Sequence, residues 1–109
     1  MVDLNHLPEV MSRLREFVDA RDWSRFHTPK NLAMAIAGEA GELAAEFQWL
    51  TPEESETAAS AGELRERVGS EMADVAIFLL LLSDRLELNL TEAIVRKMQI
   101  NEARFPPSG

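Results

Sequence analysis

Stretches of helix-forming residues separated by short breaks run through the chain, and no segment alternates apolar and polar residues as a strand would. Apolar residues recur at helical spacing in stretches that predict four helices, over residues 7 to about 21, 29 to about 50, about 63 to 86 and 91 to about 105. Thr28 followed by Pro29 is typical of a helix N-cap and first residue, and Thr91 would cap the last helix. Residues 51–62, rich in Ser, Ala and Glu, predict one short turn and a flexible loop. The predicted fold class is all-α.

The second and third predicted helices each carry an apolar seam, whose members step by four and three residues as in helices that pack side by side. Each seam lies within about 40° of one line on its helix. The two seams are Ile36, Ala40, Leu43, Phe47 and Leu50, and Val68, Met72, Val75, Leu79, Leu82 and Leu86. Residues 75–82 are apolar on all sides of the third helix. Because such a helix has to be buried, we expect at least a dimer with this helix at its centre.

Acidic residues flank both seams on the same side. Glu39, Glu42 and Glu46 lie beside the first seam, and Glu71 and Asp74 lie at matching angles beside the second. An antiparallel pair of helices is related by a two-fold axis, which keeps the sense of each flank. Four carboxylates, two from each helix, are therefore expected to converge on one face of the pair.

Converging carboxylates need a counter-charge, because two unit charges 4 Å apart repel by about 4 kcal/mol at an effective dielectric constant near 20. Carboxylate oxygens without Cys or His suit Mg²⁺ or Mn²⁺. A single E-x-x-E is more often part of a solvated helix face, but two matched pairs favour a metal site. A di-iron bundle would need Glu-x-x-His pairs, and neither His6 nor His27 follows a Glu in this way.

Length, composition and charge narrow the class of protein. The 109 residues fit a single domain, 1–109. The net charge of −8 disfavours a nucleic acid or an anionic membrane as partner. No residue is Cys, which excludes disulfides and thiol nucleophiles, and the longest apolar run is far shorter than the roughly 20 residues of a membrane span. The segment of residues 1–7 is short, acidic and polar, so we expect no signal peptide and a cytoplasmic protein.

The motifs of the chain resemble those of the MazG-like nucleotide pyrophosphohydrolases, and most closely the dCTP pyrophosphatase type. The motifs are Gly38-Glu-x-Gly-Glu-Leu-x-x-x-Phe-Gln-Trp49, Glu71-x-x-Asp74-Val and Lys97-Met-x-x-Asn101-x-x-Arg104-Phe-Pro. The resemblance implies a four-helix bundle completed by oligomerisation, commonly a tetramer built from dimers. It implies Mg²⁺-dependent cleavage of a nucleoside triphosphate into monophosphate and pyrophosphate. Under it, the metal-binding and catalytic residues are Glu39, Glu42, Glu71 and Asp74.

The resemblance also implies roles for residues outside the carboxylate motifs. Lys97, Asn101 and Arg104 would contact phosphate, although a basic last turn also suits the helix dipole. Trp23 and Trp49 would stack on the base, where the ordinary alternative for a Trp is the core. His27 and Asn31 flank the start of the second helix, and His27 is equally well explained as a loop residue. Phe78 completes the set of base-binding residues.

Two positions depart from the pattern of dedicated dCTP enzymes. Leu14 stands where these enzymes often carry His, and Phe78 stands where they carry Tyr. Polar contacts give the strongest discrimination between analogues, so these departures predict a weaker separation of dCTP from dUTP or dTTP. The function that the sequence favours is hydrolysis of a (deoxy)nucleoside triphosphate, dCTP or a modified dCTP, in nucleotide-pool cleansing. The alternative is a non-catalytic helical interaction module whose acidic face binds a basic partner.

Overall fold

The computed structural model describes residues 6–108. Residues 1–5 and 109 of the predicted 1–109 domain lie outside the described residues, as does most of the segment in which no signal peptide was expected. Five α-helices and one 3₁₀ turn occur within residues 6–108: α1 (Leu7–Ala20), the 3₁₀ turn (Ser24–Phe26), α2 (Pro29–Ala45), α3 (Pro52–Ala58), α4 (Gly62–Arg85) and α5 (Leu90–Arg104). The prediction of an all-α fold is confirmed.

Polar caps define where the middle helices begin. Thr28 Oγ1 accepts a hydrogen bond from the Asn31 N–H at 3.1 Å, with Pro29 as the first helical residue, as predicted. Thr51 and Glu54 form a reciprocal capping box. This box sustains the seven residues of α3, so the prediction of one short turn followed by a flexible loop was wrong.

Two predicted helix ends also need correction. Helix α2 ends at Ala45 rather than near Leu50, because the N–H groups of Glu46 and Phe47 bond to carbonyls three residues back and tighten the chain into turns. Helix α5 begins at Leu90 rather than after Thr91. Its N-cap is Asn89, which accepts from the Glu92 N–H at 3.0 Å; Asn is the stronger N-cap residue of the two.

The α2–α4 pair is the main packing contact. The end of α2 meets the start of α4 through a Glu46–Arg67 ion pair, while Leu32 near the start of α2 lies in one cluster with Leu81 near the end of α4. The two helices are therefore antiparallel, which is the arrangement assumed for the two seams. Val18 of α1 completes this buried cluster, in which Leu32 is only 1% exposed.

The buried stripe of α4 differs from the predicted seam. Met72, Leu79 and Leu86 are exposed, whereas Glu71 and Asp74 are half-buried. The seam prediction considered only one partner helix, but α1 also packs on α4, so the covered face is centred between α1 and α2. The rotation moves the acidic residues from the edge of the helix interface towards its interior.

Helix α5 is largely uncovered. From position 91 onwards every described residue of this helix is exposed, including the apolar Ile94, Val95 and Met98. Within residues 6–108, no helix combines the length and apolarity that crossing a membrane requires.

Candidate metal centre and nucleotide pocket

Three glutamates form an acidic cluster between α2 and α4. Glu39 and Glu42 lie three residues apart, so they share one face of α2, and Glu71 faces them from α4. One carboxylate oxygen of each lies within 4.8 Å of those of the other two. The structure thus brings together three of the four residues predicted as metal ligands.

Asp74, the fourth predicted ligand, lies close enough to this cluster to affect it. The pKa of Glu39 is raised, first by desolvation and then by the negative charges of Asp74 and Glu42. The pKa of Glu71 is also raised, again first by desolvation and then by its acidic neighbours Glu42, Asp74, Glu39 and Glu46. Burial is thus the larger cause of both shifts, and the crowding of like charges that the sequence predicted adds to it.

The donor set of the cluster fits a hard divalent cation. Glu71 Oε2 is buried without a hydrogen-bond partner among the described residues. A buried carboxylate oxygen in that position has to bind a proton or a cation. The cluster offers only carboxylate oxygens, which suits Mg²⁺ or Mn²⁺ better than zinc or copper.

Glu46, the remaining acidic residue of the α2 flank, forms an ion pair with Arg67 of α4. Arg67 Nε donates to Glu46 Oε2 at 2.8 Å and lies 3.4 Å from Oε1. Arg67 precedes Glu71 by one turn of α4. The pair fastens the end of α2 to the start of α4, at the edge of the acidic cluster.

A cavity of about 480 Å³ lies beside the carboxylates, between α1 and α4. Asp74 borders it, so the acidic cluster and the cavity adjoin. Its walls are mostly apolar, and its lining residues are Val10, Arg13, Leu14, Phe17, Val18, Trp23, His27, Asp74, Ile77, Phe78 and Leu81. The cavity therefore contains Trp23, His27 and Phe78, three of the five residues predicted to bind a base.

Trp23 is fixed at the cavity wall by its neighbour on α1. Its ring meets that of Phe17 edge to face, with centroids 5.5 Å apart at 74°. The Arg21 guanidinium lies over the Phe17 ring, with its central carbon 3.6 Å from the ring centroid. Trp23 keeps 43% of its surface exposed, enough to offer an aromatic surface to a planar ligand.

Trp49 and Asn31, the other two predicted base-binding residues, do not border this cavity. Trp49 lies in the turn after α2 and is 87% exposed. Asn31 donates from Nδ2 to the Phe26 carbonyl oxygen at 2.9 Å. Asn31 thereby ties the 3₁₀ turn to the first turn of α2, which positions the segment carrying Trp23 and His27.

The predicted phosphate-binding residues lie on the exposed helix α5. Lys97 borders a separate shallow cavity with Glu92 and Arg96. The Arg104 guanidinium lies over the Phe105 ring, and Asn101 is exposed. Within one copy of the chain, the structure brings none of the three residues to the cavity that Asp74 borders.

Sequence reasoning missed one polar residue of the cavity, Arg13. The sequence does contain a signal for it. Val10, Arg13, Leu14 and Phe17 follow the i, i+3, i+4, i+7 spacing of one helix face. A cation within an otherwise apolar stripe indicates a wall that is not simply core.

Relatives of the chain include curated and structurally characterised proteins, although no family model matches it. Over 91 residues, 84% of its length, it is 42% identical to dCTP pyrophosphatase 1 of Homo sapiens. Over the same length it is 41% identical to dCTP pyrophosphatase 1 of Bos taurus. The match covers 54% of each relative, so the chain spans about half the length of the curated relatives it matches.

A solved structure resembles the chain over nearly its full length. The crystal structure of a pyrophosphatase from Archaeoglobus fulgidus superposes with a TM-score of 0.83 at 41% sequence identity. The match covers 98% of both chains. The likeness therefore includes the helices that carry the acidic cluster and the cavity.

Proposed function

The chain belongs to the MazG-like nucleotide pyrophosphohydrolase family, and we propose that it hydrolyses a (deoxy)nucleoside triphosphate to the monophosphate and pyrophosphate. The observation that carries this proposal is the meeting of Glu39, Glu42 and Glu71 oxygens within 4.8 Å beside a cavity walled by aromatic residues. A triphosphate could present phosphate oxygens to a cation held by the cluster while its base enters the cavity. The names of the relatives supply the reaction class.

Glu39, Glu42, Glu71 and Asp74 are the residues that would hold Mg²⁺ or Mn²⁺, and they are the proposed catalytic groups. A divalent cation bound there supplies polarisation of the phosphate oxygens and a water molecule of lowered pKa. The carboxylates would fix the position of the cation, and one of them would act as the base that accepts a proton from the attacking water. Half-burial of Glu39 and Glu71 strengthens these electrostatic interactions by excluding solvent.

The proposed substrate is dCTP or a modified dCTP, and the proposed role is cleansing of the nucleotide pool. Trp23 and Phe78 offer aromatic surface to the base, and His27 offers a polar group at the same cavity. The human relative is named dCTP pyrophosphatase 1, and this name supports dCTP over other triphosphates as the substrate.

The site proposed here is completed by a second copy of the chain. Lys97, Asn101 and Arg104 carry the positive charge and amide suited to phosphate, yet they lie on the exposed helix α5. Trp49, in the turn after α2, is also largely exposed. Docking another protomer against α4 and α5 would cover their apolar residues and add these groups to the site. We propose a homo-oligomer, a tetramer built as a dimer of dimers, located in the cytoplasm, with neither nucleic acid nor membrane as partner.

A substrate screen with Mg²⁺ tests the proposal directly. Common and modified dNTPs and NTPs are incubated with the protein, and products are separated by ion-exchange chromatography. We expect nucleoside monophosphate and pyrophosphate in equal amounts. Release of nucleoside diphosphate and inorganic phosphate would instead indicate cleavage between the β- and γ-phosphates. If no triphosphate is cleaved, the alternative of a helical interaction module with an acidic face takes its place.

A further inference from the structure

The polar side chains of the cavity are few, and their roles are unequal. Besides Trp23, whose indole carries an N–H, the lining residues with polar side chains are Arg13, His27 and Asp74. Asp74 belongs to the proposed metal ligands. Among the lining side chains, this leaves Arg13 and His27 to distinguish the edge of one base from another, because stacking on Trp23 or Phe78 accepts any planar base.

Arg13 is free to bind a ligand. Among the described residues it has no hydrogen bond, ion pair or aromatic partner, although it is part of the cavity wall. Arg15, two residues along the same helix, is instead engaged by Asp84, with 2.6 Å between Nη2 and Oδ1. The two cations of α1 therefore differ: Arg15 joins two helices, whereas Arg13 is an exposed residue of the cavity wall whose donors have no partner among the described residues.

A guanidinium group is selective among base edges because it only donates. Its planar N–H groups pair best with two adjacent acceptors. Cytosine presents such a pair, N3 and O2. Uracil and thymine carry N3–H between two carbonyl groups, so a guanidinium in the same position gains one bond and meets a donor.

We propose that Arg13 is a specificity-determining residue that donates to N3 and O2 of the cytosine ring. This inference rests on the proposed function and deepens it. It explains how the chain reads cytosine with Leu14 and Phe78 at the positions where the resemblance has His and Tyr. Sharp discrimination of dCTP from dUTP is then expected, contrary to the expectation from these two positions alone.

Two variants of Arg13 and one control test the assignment. Arg13→Met removes the donors, and Arg13→Lys keeps the charge without the planar fork. Arg65→Met removes a cation that only approaches the Ala59 carbonyl oxygen, at 3.4 Å, outside the cavity. For each protein, kcat/KM is measured with dCTP and dUTP. Equilibrium binding of dCMP and dUMP is measured without metal.

A good bidentate contact to a base discriminates by roughly 5- to 150-fold. We expect Arg13→Met and Arg13→Lys to reduce the dCTP:dUTP ratio of kcat/KM by that factor, through loss on dCTP. Arg65→Met should leave the ratio unchanged. The preference for dCMP over dUMP should fall in parallel in both Arg13 variants.

Three results would overturn the assignment. Equal losses on dCTP and dUTP that Arg13→Lys restores would place Arg13 on the phosphates. An unchanged ratio in both variants would remove it from the site. A preference for dGTP that disappears in Arg13→Met would assign it to guanine O6 and N7. The binding arm separates this inference from the proposed function: a protein that cleaves no triphosphate but binds dCMP through Arg13 would refute only the latter.

Discussion

Glu39 on α2 and Glu71 on α4 face each other across a helix interface, with carboxylate oxygens within 4.8 Å. Packed interfaces ordinarily place apolar or oppositely charged groups in such positions, since like charges at this distance repel. Both carboxyl groups have raised pKa values, and burial is the first cause for each. In the absence of a cation, this pair is therefore a source of instability that the rest of the fold tolerates.

Removing one of these charges should stabilise the metal-free protein. A raised pKa in the folded state stabilises below the ordinary glutamate pKa, and that contribution is lost as pH rises through the raised value. Glu71→Gln should therefore unfold at a higher temperature than the wild type at pH 7 in EDTA. The difference should shrink towards zero near pH 4. Thermal unfolding at both pH values tests this, and a destabilised variant at pH 7 would show that the Glu71 charge is not repelled.

The Arg15–Asp84 ion pair should have the opposite pH dependence. Arg15 lowers the pKa of Asp84 through a hydrogen-bonded contact, so its contribution exists above the ordinary aspartate pKa and is lost as pH falls through the lowered value. Asp84→Asn should reduce the free energy of unfolding at pH 7 by about 1 kcal/mol or less. Urea unfolding measures it. Asp22→Asn, which breaks the exposed Asp22–Arg25 pair, is the control and should change little.

Trp23 should bind the base by stacking. Trp23→Ala is expected to raise KM for every substrate by roughly 5- to 150-fold, with little change in the order of preference, because stacking is worth about 1–3 kcal/mol for any base. Steady-state kinetics test this. Trp49→Ala should raise KM similarly where a second copy supplies Trp49 to the site. An unaltered KM in that variant would confine the base site to the Trp23 wall.

Self-association should cover the exposed apolar surface of α4 and α5. Leu79, Ile94, Val95 and Met98 are exposed in one copy, and a patch of this kind marks an interaction surface. Sedimentation at micromolar concentration should show a species of at least two chains, with a tetramer as the expected form. Leu79→Glu should shift the protein towards the monomer. A wild type that sediments as a folded monomer would contradict this prediction.

Local signals in the sequence were sufficient for most of the fold. Thr28 and Pro29 determine where α2 begins, and matched acidic flanks were enough to bring Glu39, Glu42 and Glu71 together, because helical spacing fixes the angles of side chains. Helix ends were less predictable, since hydrogen bonds over three residues compete with the helix after Ala45.

Positions that depend on a third element could not be predicted from two helices. The buried stripe of α4 is rotated because α1 packs beside α2, and no single helical period contains that information. The spacing of Val10, Arg13, Leu14 and Phe17 places Arg13 on one face of α1, but only the packing of α1 on α4 makes that face a cavity wall. Trp49 and Lys97 do not border the cavity within one copy; the roles proposed for them require a second copy, which intramolecular periodicity does not describe.

The most direct test of metal-dependent hydrolysis compares two glutamates of α4. Pyrophosphate release from dCTP is measured during titration with Mg²⁺ for the wild type, Glu71→Gln and Glu66→Gln. Glu66 is exposed and lies outside the acidic cluster. We expect Mg²⁺-dependent release by the wild type and by Glu66→Gln, with a loss of about 100-fold or more in Glu71→Gln. Equal release by all three proteins, or release that persists in EDTA, would contradict the assignment of catalysis to this cluster.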